Sequence, residues 1–294
     1  MTELDPGRLQ QWMDIAVRAA EAGADQLRRF HGQLSDGQVR EKGGSGNLVT
    51  AADLAAEQAV LAVLEQETPE IGVLAEESGR RAGAGELEWC VDPLDGTTNF
   101  AHGYPVFATS VGLCWRGEPI AAALALPTTG ELFRAARGHG AWCNDRPIAV
   151  SRCSSLSDAL LVTGFAYDRA TRLDNNYAEF AWFTHRTHGV RRGGAAAVDL
   201  AYVACGRCDG YWERGLSPWD LAAGVLLVRE AGGVVSDYRG GAFRLNSDRV
   251  VACAPALHGQ LVDGLGQCQP LHGASYGAPE LDTAGQETAP SAAP

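Results

Sequence analysis

The stretch Trp89-Cys-Val-Asp-Pro-Leu-Asp-Gly-Thr-Thr-Asn-Phe100 places two carboxylates, Asp92 and Asp95, within apolar sequence. The apolar residues before Asp92 are typical of a short strand, and Gly96 with the threonines after it suits the start of a helix. Burying two acids without a cation is costly, so the segment predicts a functional site. The free N–H groups of a helix start could hold a phosphate beside it.

Further acids follow apolar segments elsewhere in the chain. Glu76 and Glu77 come directly after the strand pattern 71–75, and Asp220 opens a helix pattern over 218–231. Carboxylates that converge at the ends of strands repel one another unless hard cations lie between them. An acidic cluster beside an anion-binding helix start therefore predicts magnesium-assisted phosphoryl transfer to water.

Simpler roles remain open for some of these acids. Thr50 to Asp53 and Ser217 to Asp220 both match the capping box, so each aspartate, taken alone, is more often a helix cap than a ligand. Glu76 and Glu77, taken alone, could form a solvated turn. Only the Asp92 and Asp95 pair favours a functional role on charge grounds by itself.

The hydrophobic pattern mixes helices and strands along the whole chain. Helices are predicted near residues 9–30, 51–64, 176–183, 195–204, 218–231 and 255–265, and strands near 71–75, 89–91, 106–113, 120–126, 159–162, 210–212, 234 and 250. Such a mixture indicates α/β or α+β layering. From residue 267 onward large apolar side chains are scarce, which predicts a disordered tail over 267–294.

Composition limits the partners that the protein could have. The 294 residues carry 24 Lys and Arg against 36 Asp and Glu, a net charge of −12 that repels nucleic acid and anionic lipid. No apolar run reaches the roughly 18 residues of a membrane span, and the acidic N-terminus is unlike a signal peptide. We therefore expect a soluble cytoplasmic protein without nucleic-acid or membrane partners. Lys42 is the sole lysine, so arginines, backbone N–H groups or metal ions must hold an anionic substrate.

The eight cysteines show no zinc-ribbon spacing. Cys205-Gly-Arg-Cys208 has the spacing of a thiol redox motif, but it follows the end of a predicted helix where such a motif should follow a strand. We therefore expect buried structural thiols. A thiol redox protein remains an alternative hypothesis.

Two segments resemble the signatures of the inositol monophosphatase family. Trp89 to Phe100 is similar to the first signature and Trp219-Asp-Leu-Ala-Ala-Gly-Val225 to the second, and further matching segments extend the resemblance over about residues 9–266. The resemblance implies an alternating αβαβα sandwich of the sugar-phosphatase type with two subdomains. We place these at 1–146 and 147–266, with the tail 267–294 outside both.

The resemblance also implies roles for individual residues. Glu76, Asp92 and the Leu94 carbonyl would hold one Mg²⁺, and Asp92, Asp95 and Asp220 a second, while a weaker third ion would touch Glu76 and reach Asp53 through water. Glu76 and Thr97, the latter positioned by Asp53, would orient a metal-bound water. The N–H groups of Gly96 and Thr97 would cradle the phosphate, and the hydroxyls of a polyol would meet Asp95, Gly194, Ala195, Ala196 and Glu213.

The implied activity is Mg-dependent hydrolysis of a small phosphomonoester. The resemblance favours a phosphorylated polyol as substrate, because every residue expected to contact the polyol is present. The first candidate is myo-inositol 1-phosphate. Histidinol phosphate, fructose 1,6-bisphosphate and adenosine bisphosphate remain alternatives within the family. The family also implies lithium sensitivity and a homodimer. A catalytically silent scaffold should have lost a ligand, whereas Glu76, Asp92, Asp95 and Asp220 are all present.

Overall fold

The computed structural model describes residues 5–33, 39–41 and 48–271 of the 294-residue chain. Lys42, Asn47 and the predicted tail beyond residue 271 lie outside the described residues. Within the described part the α-helices are α1 (Pro6–Phe30), α2 (Ala51–Glu67), α3 (Thr97–Ala101), α4 (Tyr177–Thr184), α5 (Ala196–Ala204), α6 (Pro218–Glu230) and α7 (His258–Gln267). None of these helices is both long enough and apolar enough to cross a bilayer.

The strands form a short hairpin and two larger sheets. They are β1 (Val39–Glu41), β2 (Leu48–Thr50), β3 (Gly72–Ala75), β4 (Gly79–Arg81), β5 (Leu87–Asp95), β6 (Ala108–Trp115), β7 (Glu118–Leu126), β8 (Glu131–Ala136), β9 (Ala141–Cys143), β10 (Arg146–Pro147), β11 (Leu160–Thr163), β12 (Gly189–Arg192), β13 (Gly210–Arg214), β14 (Val234–Ser236) and β15 (Arg249–Cys253).

The first sheet has eight strands in the order β10-β9-β8-β7-β6-β5-β3-β4. Strand β5 pairs in parallel with β3 and antiparallel with β6. Because successive side chains alternate between faces, Trp89 and Val91 pack against α1 and α2, whereas Cys90 faces α6 on the other side. The near-continuous burial of β5 follows from having helices on both faces.

The second sheet has five strands in the order β12-β11-β13-β15-β14. One face, with Val162 and Tyr211, joins the core formed with α5 and α6, and the other, with Leu161 and Trp212, packs against α4 and α7. Helices α5 and α6 therefore form a layer between the two sheets. The succession of α1 and α2, first sheet, α5 and α6, second sheet, α4 and α7 confirms the predicted αβαβα sandwich.

The middle layer brings the ends of distant elements together. Helix α6 lies directly on the first sheet at Gly112, where an added Cβ would come within 2.8 Å of the Ala222 Cβ. This close approach sets the first turn of α6, with Asp220, beside the end of β5. The division of the chain at residues 146 and 147 into subdomains stays a prediction. Strand β10 ends the first sheet at Pro147, and β11 begins the second at Leu160.

Candidate active site

A cavity of about 320 Å³ opens where β3, β5, α5, β13 and α6 meet. All the predicted site residues except Asp53 line this cavity: Glu76, Asp92, Leu94, Asp95, Gly96, Thr97, Gly194, Ala195, Ala196, Glu213 and Asp220. Asp53 lies behind the wall and reaches it through a hydrogen bond to Thr97. The structure therefore places predicted residues from five separate segments of the chain around one space, with Asp53 behind its wall.

The end of β5 carries two of the carboxylates into the cavity. The pairing of β5 with β6 shifts register between Asp92 and Asp95. Pro93, which lies between them, has no N–H to donate to a hydrogen bond between the strands. Instead the Pro93 carbonyl accepts from the Thr109 hydroxyl at 3.0 Å, and one Asp92 oxygen accepts from the Leu94 N–H at 3.0 Å. This irregularity lets two side chains three residues apart face the same cavity.

Asp95 connects the first sheet to the middle layer. Its Oδ2 accepts from the N–H groups of Ala197 at 2.9 Å and Val198 at 3.2 Å, which lie in the first turn of α5. Next to it, Gly96 has a φ of 92°, and an added Cβ would come within 2.9 Å of the Val106 carbonyl oxygen. Glycine is therefore required where the chain turns from β5 into α3.

Asp53 and Thr97 form a buried hydrogen-bonded pair. The Thr97 hydroxyl lies 3.1 Å from Asp53 Oδ1 and 3.1 Å from the Leu94 carbonyl oxygen, either of which can accept its hydrogen. The other oxygen of Asp53 accepts from the N–H of Thr50 at 2.7 Å and from its hydroxyl at 2.6 Å. Burial raises the pKa of Asp53 to about 6, although the bonds from Thr50 oppose this rise and the charge of Glu76 adds to it.

Asp220 caps its helix and faces the cluster at the same time. Its Oδ2 accepts from the N–H of Ser217 at 2.6 Å, completing a capping box, with Pro218 at the first helical position. The same side chain lines the cavity opposite Asp92. Burial raises the pKa of Asp220 to about 8, with the charges of Asp95 and Glu76 contributing to the rise.

The four carboxyl groups of Glu76, Asp92, Asp95 and Asp220 form what we call the acidic cluster. Burial raises the pKa of Asp92 well above its usual range, and the charges of the other three members raise it further. Burial also raises the pKa of Asp95 to about 7. Hydrogen bonds link Asp92 with Glu76 and Asp220, and a bond between two carboxyl groups requires a shared proton.

These observations fit a site for hard divalent cations. As the side chains lie, no three acidic, His or Cys side chains in the described residues form a chelating set. No arginine pairs with Asp92, Asp95 or Asp220 in that part of the chain. A cation between these carboxyl groups would offset their mutual repulsion and favour their ionised form. The donors are carboxylate and carbonyl oxygens, which suit Mg²⁺ better than softer metals.

The opposite wall of the cavity offers hydrogen-bond partners for an uncharged group. Glu213 is buried, accepts from the Tyr211 hydroxyl at 2.6 Å, and has its pKa raised by burial to about 7. Gly164 leaves it room, because a Cβ there would stand 2.1 Å from Glu213 Oε1. Beside it, the backbone from Gly194, at a φ of +81°, leads into the first turn of α5.

Sequence analysis missed several residues that shape the cavity. Asn99 joins two of its loops by donating to the Val106 carbonyl at 2.7 Å and the Gly193 carbonyl at 3.0 Å. Tyr211, two positions before Glu213 on one strand, could have been found from the two-residue period. No sequence pattern marks Tyr167 or Arg169, which reach the cavity from a short 3₁₀ helix. The sequence left open whether Arg191 and Arg192 are structural or dimer contacts or could meet a second phosphate or a carboxylate, and the structure places Arg192, at the end of β12, in the cavity wall.

The thiol motif lies away from this cavity. Cys205 ends α5, its sulfur pointing to the Tyr202 carbonyl oxygen at 3.6 Å, and neither it nor Cys208 lines the site. Burial raises the pKa of both thiols, to about 12 for Cys208. A thiol that stays protonated at neutral pH is too slow a nucleophile for redox turnover, so both residues fit the structural role.

Comparison with known proteins gives the same assignment from sequence and from structure. Residues 8–269 match the inositol monophosphatase family. The chain is 48% identical to an inositol-1-monophosphatase of Synechocystis over 264 residues, covering 88% of this chain and 90% of that one. It is 44% identical over 249 residues to a Pseudomonas aeruginosa protein named Nus factor SuhB, covering 83% and 92% of the two chains.

Solved structures agree with these matches. An inositol monophosphatase structure from Anabaena superposes with a TM-score of 0.82 at 48% identity, covering 90% of this chain and 98% of that one. The extragenic suppressor protein SuhB of Bartonella henselae also superposes at 0.82, with 38% identity and coverages of 87% and 99%. The chain belongs to the inositol monophosphatase family and is a phosphoric monoester hydrolase.

Proposed function

We propose that the protein hydrolyses myo-inositol 1-phosphate to inositol and phosphate with two or three Mg²⁺ ions. The observation that carries this proposal is the acidic cluster, in which carboxyl groups from three separate segments converge in one cavity, with raised pKa values at Asp92, Asp95 and Asp220. Family membership supports metal-dependent hydrolysis. The number and identity of the ions belong to the proposal.

The proposed ligands divide between two main ions. Glu76, Asp92 and the Leu94 carbonyl would hold the first, and Asp92, Asp95 and Asp220 the second, so that Asp92 serves both. A third, weaker ion would touch Glu76 and reach Asp53 through water. When bound, the ions would supply positive charge for the phosphate and would lower the pKa of a coordinated water towards neutrality.

Residues of the chain would orient the attacking water. When the Thr97 hydroxyl gives its hydrogen to Asp53, its lone pairs stay available to accept a hydrogen from that water. The two bonds from Thr50 fix Asp53 and so fix the direction of the Thr97 hydroxyl. Glu76, at the cavity wall, would accept the second hydrogen of the water or take its proton.

The substrate would lie between the acidic cluster and Glu213. The N–H groups of Gly96 and Thr97 would hold the phosphate, and the polyol hydroxyls would meet Asp95, Glu213 and the backbone at 194–196. A volume of about 320 Å³ suits a single small ring, since ligand sites range from about 300 to 1,000 Å³. The inositol-1-monophosphatases among the relatives support this substrate.

We also propose a cytoplasmic, lithium-sensitive homodimer without nucleic-acid or membrane partners. The net charge of −12 supports the absence of direct contact with phosphate backbones or anionic lipid. The name Nus factor SuhB belongs to several relatives, and no feature of the described residues favours such a role here.

The test is phosphate release from a panel of esters. The panel contains myo-inositol 1-phosphate, histidinol phosphate, fructose 1,6-bisphosphate and adenosine bisphosphate. Of these four, myo-inositol 1-phosphate should show the highest kcat/KM. A chelator should abolish release and Mg²⁺ should restore it. A kcat/KM for the inositol ester one hundredfold below any other, about 2.7 kcal/mol in transition-state stabilisation, would overturn the substrate assignment.

A matched variant separates the polyol contacts from the chemistry. Glu213→Gln should lower kcat/KM for the inositol ester but leave 4-nitrophenyl phosphate, which has no polyol hydroxyls, close to the wild-type value. Equal losses on both esters would show that Glu213 supports the fold of the site instead of recognising the polyol.

A further inference from the structure

Two thiols of the first sheet lie close together, and they are not the pair that the sequence spacing suggests. Cys90 on β5 and Cys114 on β6 bring their sulfur atoms to 3.8 Å. Both side chains are nearly fully buried, with 2% and 3% of their surface exposed. The proposed chemistry uses neither residue, so the contact needs its own account.

The strand register places both thiols on the face that α6 covers. Cys90 stands opposite Gly112 and Cys114 opposite Glu88, so the two cysteines are diagonal neighbours on one face of an antiparallel pair. Two residues further along β5, Asp92 pairs with Ser110. Any change in the spacing of the two strands at Cys90 therefore acts two residues away from Asp92.

A second cavity reaches these thiols from outside. It encloses about 250 Å³ and is lined by Cys90, Cys114, Leu74 and Pro218, with arginine and glutamate side chains around them. Cys114 also lines a neighbouring cavity of about 270 Å³. Although little thiol surface is exposed, both cavities are large enough for a small oxidant such as a hydroperoxide.

The second cavity lies directly behind the acidic cluster. Leu74, Cys90 and Pro218 each come two residues before a proposed ligand, namely Glu76, Asp92 and Asp220. On the strands, residues two positions apart point to the same face about 7 Å apart. Cys90 and Asp92 are thus neighbours on one face of β5.

We propose that Cys90 and Cys114 are an oxidative modification site whose disulfide reversibly inactivates the enzyme. A hydroperoxide oxidises the thiol of Cys114 to a sulfenic acid and is itself reduced to water or an alcohol. The Cys90 sulfur then attacks the sulfenic sulfur, the S–S bond forms, and the hydroxyl leaves as water with the Cys90 proton. With hydrogen peroxide, the overall reaction converts two thiols and one peroxide into one disulfide and two water molecules.

Formation of this bond must distort the sheet. A disulfide is about 2.05 Å long, far below the present 3.8 Å, and needs Cβ atoms about 3.5–4.5 Å apart. Diagonal neighbours across an antiparallel pair are wider apart, so β5 and β6 must shift to close the bond. The inactivation rests on the proposed function, because the shift displaces Asp92 from the other members of the acidic cluster. A strained disulfide is also readily reduced, which makes the change reversible.

The environment of the Cys114 thiol limits the rate of its oxidation. The contact with Cys90 and the burial of the side chain both raise the pKa of Cys114 well above its usual range. A thiol that stays protonated reacts slowly with oxidants. The site therefore responds to sustained exposure, and the experiment requires hours of incubation.

The test exposes the full-length wild-type protein to excess hydrogen peroxide and follows three quantities. Intact mass should fall by two hydrogens, and peptide mapping should join the peptides that contain Cys90 and Cys114. Phosphate release and calorimetric Mg²⁺ affinity should each fall by about tenfold or more, in line with the effect of misplacing a metal ligand. Dithiothreitol should reverse all three changes.

Matched variants identify the pair. Cys114→Ala should keep phosphate release and lose the response to peroxide, whereas the double variant Cys205→Ser and Cys208→Ser should respond as the wild type does. If Cys114→Ala does not fold, the wild-type peptide map decides which cysteines are joined. A disulfide between other cysteines, or none, would overturn the proposal, as would a Cys90–Cys114 disulfide that leaves Mg²⁺ affinity unchanged. Absence of phosphatase activity before oxidation would instead refute the proposed function, because the mapping does not depend on turnover.

Discussion

At the scale of single residues, Asp92 is the centre of the acidic cluster. It is hydrogen-bonded with Glu76 and Asp220, and the charges of Glu76, Asp95 and Asp220 all raise its pKa. The proposed ligand sets share Asp92 between two ions. Asp53, in contrast, is hydrogen-bonded to the Thr97 hydroxyl, and the charge of Glu76 raises its pKa.

This difference predicts distinct effects of two isosteric substitutions. Asp92→Asn should lower kcat by at least about a thousandfold, because both ions lose a charged ligand. Asp53→Asn should slow the chemical step by about 10- to 100-fold with less loss of Mg²⁺ affinity, because it acts on the orientation of Thr97. Titrating phosphate release against Mg²⁺ for both variants measures the two effects. An unchanged rate in Asp92→Asn would contradict the proposed site.

Residue patterns predicted the members of the site but not how each one works. The capping-box spacing at Thr50 to Asp53 and at Ser217 to Asp220 left two roles open, cap and site residue. The structure shows that each carboxyl group caps its helix and is also turned to the cavity, Asp53 through its hydrogen bond with Thr97 and Asp220 directly. Asn99 and Tyr211 were not predicted because their role depends on the residues that they contact in the folded protein. Those partners are set by tertiary contacts that the local sequence does not encode.

At the scale of elements, the helices were predicted closely and the strands less so. The predicted 195–204 and 218–231 helices correspond to α5 and α6 within a residue at each end. Strands β8, β9 and β12 were not predicted. Strand β12 contains two arginines and lies at a sheet edge, and its extended form depends on pairing with β11. Strand β5 continues beyond Val91 to Asp95 because its pairing with β6 resumes after the irregularity at Pro93.

The approach of α6 to the first sheet makes a prediction at this scale. In Gly112→Ala the new Cβ would stand 2.8 Å from the Ala222 Cβ and 3.1 Å from the Ala223 backbone nitrogen, so α6 must move outward. Overpacking of this kind costs about 1–3 kcal/mol of unfolding free energy. Because Asp220 lies in the first turn of α6, the Mg²⁺ concentration for half-maximal activity should rise as well.

Thermal unfolding and Mg²⁺ titration of this variant provide the measurement. Gly259→Ala on α7 is the matched control, because no atom lies within 4 Å of a Cβ added there. The control should be neutral or slightly stabilising. Wild-type stability and Mg²⁺ dependence in Gly112→Ala would show that α6 has room to adjust and does not set the position of Asp220.

At the scale of the whole molecule, the site exists only because the layers are stacked. The αβαβα succession was predicted from the family resemblance, whereas periodicity alone indicated no more than α/β or α+β layering. No local pattern could give the distance between Asp92 and Asp220, which are 128 positions apart in the sequence. That distance follows from the packing of α6 between the two sheets.

The same stacking buries acidic groups, and this predicts how stability depends on pH and metal. Burial raises the folded-state pKa of Asp53 to about 6, of Asp95 and Glu213 to about 7 and of Asp220 to about 8. In the unfolded chain these groups have pKa values of about 4. Below about pH 4 both states hold the protons and there is no penalty. As pH rises from 4 to 8 the unfolded chain releases protons that the folded protein retains, so the free energy of unfolding falls.

Divalent cations should reverse this trend, because a cation in the acidic cluster stabilises the ionised carboxylates of the folded protein. The thermal midpoint of chelator-treated protein should therefore fall between pH 5 and 8, and the increase on adding Mg²⁺ should grow with pH. The double variant Asp92→Asn and Asp220→Asn should show a shallower pH dependence and little response to Mg²⁺. Asp145→Asn, at a fully exposed side chain, should match the wild type. A midpoint that rises with pH in the chelator-treated wild type, or an equal Mg²⁺ response in the double variant, would mean that the buried carboxyl groups do not form the cation site.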